Sequence, residues 1–240
     1  MPSFITAVRV GRSLFLILLV PLCLSCTLAN RSKWKNNRVA EEQSAERLSL
    51  PAGKGDAYLF DLKITNQGRK NSVRLDLYWN EDSLGLYARG YLGKGVLKGL
   101  VTADSVLVFF PTNNEFYTGQ LSGFITEDCF ENLSFEKIII DLFGNTPDKI
   151  DYPFGEAYLT ILEEKPGGRK YRLVAKNCDE YFEIEYDRKK GRFIIDQLSY
   201  NKEDGSFKLE AKRRKYRLNI GLPPEKFQVE IPQTATRIYP

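Results

Sequence analysis

From Asp56 almost to its end the chain is written in short stretches where apolar and polar residues alternate one for one. Tyr58, Phe60, Leu62 and Ile64 alternate with Leu59, Asp61 and Lys63. Val73, Leu75, Leu77 and Trp79 alternate with Arg74, Asp76 and Tyr78, and Leu84, Leu86 and Ala88 with Gly85, Tyr87 and Arg89. Successive side chains of a strand leave on opposite faces, so this period dictates strands with one dry and one wet face. Turn chemistry separates them at Asn66-Gln67-Gly68 and Asn80-Glu81-Asp82. Val106–Phe110 is continuously apolar up to Pro111, and Glu115–Gln120 follows a Thr-Asn-Asn turn. The rhythm resumes after Pro147 at Ala157–Glu163, Lys170–Lys176, Tyr181–Asp187, Arg192–Tyr200, Ser206–Lys212 and Lys215–Ile220.

One segment breaks the alternation. Thr126-Glu127-Asp128 has the chemistry of a helix start, and Ser134 can cap a second stretch. There Phe135, Ile138, Ile139 and Leu142 fall at helical spacing before Gly144. The pattern predicts an α+β, mostly β domain. It has roughly ten antiparallel strands in meander order and one or two helices over about 126–144.

The N-terminus is of another kind. Arg9 and Arg12 precede an apolar run from Leu14 to Leu24, the layout of a secretory signal peptide. As a helix that run is only ~16 Å long, against a bilayer core of ~30 Å; a short retained anchor is the alternative. Ser25-Cys26 resembles the end of a bacterial lipobox, in which the cysteine is acylated and becomes the first mature residue. Acyl chains contribute ~0.8 kcal/mol per buried methylene, enough together for stable anchoring. Thr27, rather than Asp, points to the outer membrane. The expected organisation is a signal peptide over 1–25, the lipidated cysteine and a polar tether over 26–55, and a domain over 56–240. A short helix around Glu41–Leu48 fits within the tether. Cys129 and Cys178 then remain, as a disulfide or as two separate buried thiols.

Composition closes off most chemistry. The chain has no histidine, which excludes a Ser-His-Asp triad, a Cys-His dyad and any histidine-bearing metal or haem site. Nothing calls for a metal or cofactor. Without the leader, Lys+Arg number 33 against 31 Asp+Glu, too even to imply a nucleic-acid partner. Asp179-Glu180, Glu163-Glu164, or Glu183 and Glu185 could be nominated as acid and base for glycan hydrolysis. Neighbours on a strand face opposite ways, however, and the last two belong to a wet face. Gly90–Gly99 is glycine-dense without phosphate-loop spacing; a kinked strand or a loop lifting Val96 and Leu97 toward lipid both fit. Lys212-Arg213-Arg214-Lys215 reads as a solvated strand end or a site for anionic headgroups. No catalytic constellation emerges.

The remaining surplus is apolar. A curved sheet covered by one or two helices has an inner face larger than its cover, which leaves either an apolar cavity or a closed core. The side chains placed to line such a cavity are Phe60, Leu62, Val73, Leu75, Leu77, Trp79 and Leu86, which share dry strand faces.

Tyr87-Ala88-Arg89-Gly90-Tyr91-Leu92-Gly93, the Asp104–Phe110 strand with Pro111, and Asn114-Glu115-Phe116-Tyr117-Thr118-Gly119 before a helix resemble the central part of LolA/LolB-like lipoprotein carriers. Leu222-Pro223-Pro224-Glu225-Lys226-Phe227 with Ile231-Pro232 is similar to their C-terminal segment, so the resemblance spans about 56–235. It implies an unclosed half-barrel with a helical cover over a cavity for acyl chains such as palmitate. It also implies a lipid-anchored, periplasm-facing place at the outer membrane, a periplasmic carrier protein as partner, and a protruding hydrophobic loop whose nearest equivalent is Val96-Leu97. A non-catalytic structural lipoprotein docking on an envelope assembly is the alternative.

Overall fold

Strands form where the alternation predicts them, and the turns between them carry the backbone chemistry tight hairpins demand. Gln67-Gly68 and Lys190-Gly191 both have positive φ at each central position (47° and 78°, 51° and 80°). That is the turn whose twist matches a two-residue hairpin. The computed structural model describes residues 47–49, 53–120, 135–150, 157–175 and 179–239. The elements in order are β1 (Arg47–Ser49), β2 (Gly53–Asn66), β3 (Arg69–Asn80), β4 (Ser83–Arg89), β5 (Gly95–Thr102), β6 (Val106–Phe110) and β7 (Glu115–Gly119). Helix α1 (Phe135–Gly144) follows, then β8 (Ala157–Lys165), β9 (Gly168–Ala175), β10 (Glu180–Lys189), β11 (Arg192–Lys202), β12 (Phe207–Leu222), β13 (Gln228–Glu230) and β14 (Thr236–Arg237).

Twelve strands make one curved, unclosed sheet in the order β14-β7-β6-β5-β4-β3-β2-β12-β11-β10-β9-β8. Two meanders run in opposite directions from the middle, and the long antiparallel pair β2–β12 welds them. Among the described strands only β14 pairs in parallel, along the edge of β7. The half-barrel with a helical cover is therefore the architecture of the chain.

The period-two pattern shows in the burial. Tyr58, Phe60, Leu62 and Ile64 of β2 are buried on the concave face. They join Leu77, Leu84, Ala88, Tyr186, Leu209 and the apolar side of α1 in the main core. A second, smaller core lies on the opposite face. Leu100, Leu107 and Phe116 there meet Phe227, Val229, Ile231 and Ala235, so the C-terminal segment straps the back of the sheet. The strap passes so close that a Cβ on Gly85 would sit 2.0 Å from the Lys226 carbonyl oxygen; only glycine fits.

Several boundaries differ from the sequence reading. The basic run does not separate two strands: Phe207–Leu222 is one strand, bulged between Arg213 and Lys215. Arg213 is 5% exposed and bonds Asp187 (2.8 Å) and Asp196 (2.7 Å), so this cation belongs to the fold. Pairing also reaches back into the stretch read as tether. Arg47, Leu48 and Ser49 pair with Glu230, Val229 and Gln228, so Leu48 is strand rather than helix. Cys26, Cys129, Cys178 and the first helical stretch read at 126–134 lie outside the described residues.

Candidate functional site

The concave face of the sheet is wider than α1, and the difference is a cavity. Its walls come from alternate residues of β2 (Phe60, Leu62), β3 (Leu75, Leu77), β4 (Leu84, Leu86, Ala88) and β5 (Leu97, Val101). Ile195, Leu198 and Ala211 contribute from β11 and β12, and Ile139, Leu142 and Phe143 of α1 form the roof. The wall is wholly apolar, and the volume is about 90 Å³. Such a space stays dry, since a buried water needs several polar partners.

The roof is held at defined points. The Trp79 indole N–H donates to the Ile140 carbonyl at 2.8 Å, and the Tyr186 hydroxyl lies 3.2 and 3.3 Å from the carbonyls of Leu142 and Asn145. Burial pushes the Tyr186 pKa well above its ordinary value, so it stays a donor. The end of the helix presses on Trp79: a Cβ on Gly144 would approach its ring to 2.9 Å. Beyond the helix, Asp148 accepts from the Tyr171 hydroxyl (2.7 Å) and from Arg169 (3.0 Å). Burial opposes ionisation of Asp148, and the neighbouring Thr146 hydroxyl, Tyr171 and Arg169 together outweigh it, holding the carboxyl below the usual range. A further polar node closes the end of the barrel. The buried Asp56 carboxylate takes hydrogen bonds from Tyr58 (3.1 Å), Arg192 (2.9 Å) and the Asn219 backbone (2.7 Å). Burial first, and the Asp56 charge second, push the Tyr58 pKa well up.

Five of the seven side chains predicted to line a cavity do so: Phe60, Leu62, Leu75, Leu77 and Leu86. Val73 packs against the main core away from the wall, and Trp79 latches the helix instead. The expectation of a loop carrying Val96 and Leu97 outward is corrected. A one-turn 3-10 helix at Tyr91–Gly93 makes the connection, the strand resumes at Gly95, and Val96 is the extra residue of a bulge. Leu97 therefore pairs with Ala88 and faces the cavity at 2% exposure. The residue that projects is Leu92, 88% exposed and held at φ +61°. A leucine in the left-handed region costs ~1–2 kcal/mol, and no burial offsets it here.

Ile195 and Leu198 were missed because a bulge places Asp196 between paired residues, so two side chains three apart share one face. Ile139 and Leu142 carried a helical signal that marked them as buried without saying against what. Several of the acidic candidates hold cations: Glu163 pairs with Lys165 (2.7 Å), Glu164 with Arg169 (2.6 Å), and Glu183 accepts from Arg172 Nε (3.0 Å) and pairs with Lys170 (2.9 Å). Among the described residues no cluster of His, Cys, Asp and Glu could hold a metal ion, and no helix is long and apolar enough to cross a membrane.

The fold and cavity define an open antiparallel half-barrel roofed by a helix over an apolar pocket. No family model matches the chain, and no curated protein matches it. Among solved structures it is similar to a DUF1329 family protein from Desulfovibrio piger, at 11% identity and TM-score 0.43, covering 73% of this chain and 90% of that one. It is similar also to a domain described as an outer membrane lipoprotein-sorting protein from Vibrio parahaemolyticus (9%, 0.41, 72% and 88%). A LolA superfamily protein from Nitrosomonas europaea is a third (10%, 0.40, 74% and 91%). The likeness is loose.

Proposed function

We propose that the protein is a lipid-anchored envelope protein that binds acyl chains of lipoproteins or lipids in the cavity beneath α1. The observation that carries this reading is a wholly apolar space between sheet and helix, whose wall offers no group for chemistry and every group for hydrocarbon. Each methylene transferred from water to such a wall contributes ~0.8 kcal/mol, so a short length of chain gives useful and reversible affinity. An engineered apolar cavity of ~150 Å³ admits benzene. At about 90 Å³ this one holds only a few methylenes as it stands. A full acyl chain enters when α1 swings away from Ile195 and Leu97, which makes the Trp79 and Tyr186 hydrogen bonds the latches of the site. In this reading Cys26 carries the membrane anchor, Leu92 touches the bilayer, and a periplasmic carrier delivers the cargo.

Displacement of a fluorescent fatty acid from the purified protein tests the site. Leu75→Glu brings a charge to the wall and Ala88→Phe fills the space without adding one; both reduce affinity at least tenfold, while circular dichroism stays that of the parent. Undiminished, saturable binding in folded Ala88→Phe protein would place the ligand elsewhere.

A second reading has its own observation. Strand β8 forms a sheet edge on which Tyr158, Ile161 and Leu162 are 57%, 50% and 41% exposed. An uncovered edge of this kind suits docking on an envelope assembly. Absence of any saturable fatty-acid uptake favours it.

A further inference from the structure

The convex face of the sheet carries a charge pattern that neither the cavity nor the β8 edge uses. At the middle of the sheet, β3, β2 and β12 lie side by side, and their register sets the outward residues in rows. One row reads Lys70, Thr65, Lys208; the next Ser72, Lys63, Glu210; the next Arg74, Asp61, Lys212. Beyond the bulge, Lys215 stands opposite Leu59 and Arg217 opposite Ala57. Neighbours in such a grid are ~4.8 Å apart across strands and roughly 6.7 Å along them, a spacing at which like charges repel unless something neutralises them.

The neutralising groups on the face are few. Glu210 pairs with Lys208 (3.2 Å), Asp61 with Arg214 (3.7 Å), and Asp76 with Arg89. Lys63, Lys70, Arg74, Lys212, Lys215 and Arg217 are all exposed, and no ion pair to them is found among the described residues. The strands on either side differ. On β9 and β10 the cations Lys170 and Arg172 are matched by Glu183. On β5 to β7 Leu100, Leu107, Phe109 and Phe116 face outward and are covered by the C-terminal strap, with Lys98 the one outward cation of these strands. The unmatched charge is therefore densest at the crown of the convex surface, the part of a curved body that can rest on a plane.

We infer that this crown is a docking surface for the anionic headgroup layer of a bilayer. A protein partner would call for an apolar or aromatic centre within the charged patch, and a single-stranded nucleic acid for stacking platforms. The centre here is charged, with Leu59 half-buried within it; Tyr78 and Tyr87 lie at its margin, Tyr78 beneath Lys226 of the strap. The patch is also continuous with the exposed Leu92: Arg74 pairs in register with Arg89, and the turn that projects Leu92 begins at the next residue. This surface stands whether or not the cavity takes an acyl chain.

The test is co-sedimentation of the full chain carrying Cys26→Ala, so that no acyl anchor contributes, with phosphatidylcholine vesicles made with and without phosphatidylglycerol. Each cation near an anionic surface changes binding on the order of fivefold. Lys63→Gln/Arg74→Gln/Lys212→Gln together therefore lower partitioning to phosphatidylglycerol vesicles on the order of a hundredfold, whereas Lys165→Gln/Lys190→Gln at the opposite hairpin tips leaves it unchanged. Binding of the parent also falls as salt shortens the screening length from ~10 Å at 0.1 M to ~3 Å at 1 M. Thermal unfolding of both variants confirms that the sheet is intact. Equal binding by the triple variant and the parent, or indifference to phosphatidylglycerol, overturns the inference. So does a triple variant that keeps vesicle binding and loses capture of soluble polyglutamate, which assigns the crown to an acidic macromolecule.

Discussion

Trp79 lies on the same dry face of β3 as Leu75 and Leu77, yet its role is set by its one polar atom. A buried indole N–H needs an acceptor, and α1 offers the Ile140 carbonyl. Replacing it by Phe keeps the ring and removes the bond. Trp79→Phe lowers stability by about 1 kcal/mol, roughly 2–4 °C in Tm, and speeds uptake of a fluorescent fatty acid in stopped flow by releasing one latch. An unchanged uptake rate alongside the lower Tm shows that α1 does not gate entry. Leu92 makes the opposite case: at 88% exposure it supports nothing in the fold. Leu92→Ser leaves Tm within ~1 °C and weakens vesicle insertion, read from the depth of a nitroxide placed in the same turn. These roles show what alternation says and what it omits. The pattern fixes which face a residue shares, so Phe60, Leu62, Leu75, Leu77 and Leu86 were legible as cavity wall. Whether a residue on that face touches the cavity, the helix or the packed core depends on position along the strand, which separates Leu77 from Val73 and Trp79.

Elements extend the same logic. β5 and β12 were misread, as the phase of β11 was, and a bulge is the cause in each. One extra residue at Val96 inverts the apparent phase of Leu97, and one at Arg214 makes a continuous strand look like two. The helix was legible from Phe135 to Gly144 because its apolar spacing, capping serine and terminal glycine agree. Its attachment was not, since Asp148 and Tyr171 are 23 residues apart and meet only through the sheet. That attachment is acid-sensitive, with a definite sign. A carboxyl whose folded pKa lies below the unfolded value of ~3.9 contributes fully above that value and loses its contribution as pH falls through the folded pKa. Glu183 is shifted the same way: burial raises its pKa, and Arg172 and Lys170 outweigh burial. The midpoint of urea unfolding therefore stays level from neutrality down to about pH 5 and drops below ~4. Asp148→Asn has a lower midpoint at pH 7 and a shallower acid decline; equal slopes in variant and parent remove Asp148 from the account.

At the scale of the molecule, three surfaces divide the work. The concave face and α1 enclose an apolar space, the strap seals one side of the convex face, and the crown presents uncancelled cations. A mostly antiparallel sheet with one helical interruption was legible in the long runs of alternation; its unclosed half-barrel form was what the resemblance to the carriers implied. The welding of β2 to β12 was not, because pairing between the first and last long strands leaves no local mark. The cavity's small volume follows from the same closure: α1 and the turn after it are held on the sheet through Trp79, Tyr186 and Asp148, and in the proposed function ligand entry is a contest between those bonds and the burial of methylenes. Photo-crosslinking of a diazirine-bearing fatty acid to the purified protein, mapped by peptide mass spectrometry, tests this most directly. The account predicts saturable adducts on β3, β4 and α1, at Leu75, Leu86, Leu142 or Phe143, suppressed by excess unlabelled fatty acid and by Ala88→Phe. Adducts confined to Tyr158, Ile161 and Leu162 on the β8 edge, or labelling that excess fatty acid does not suppress, would contradict it.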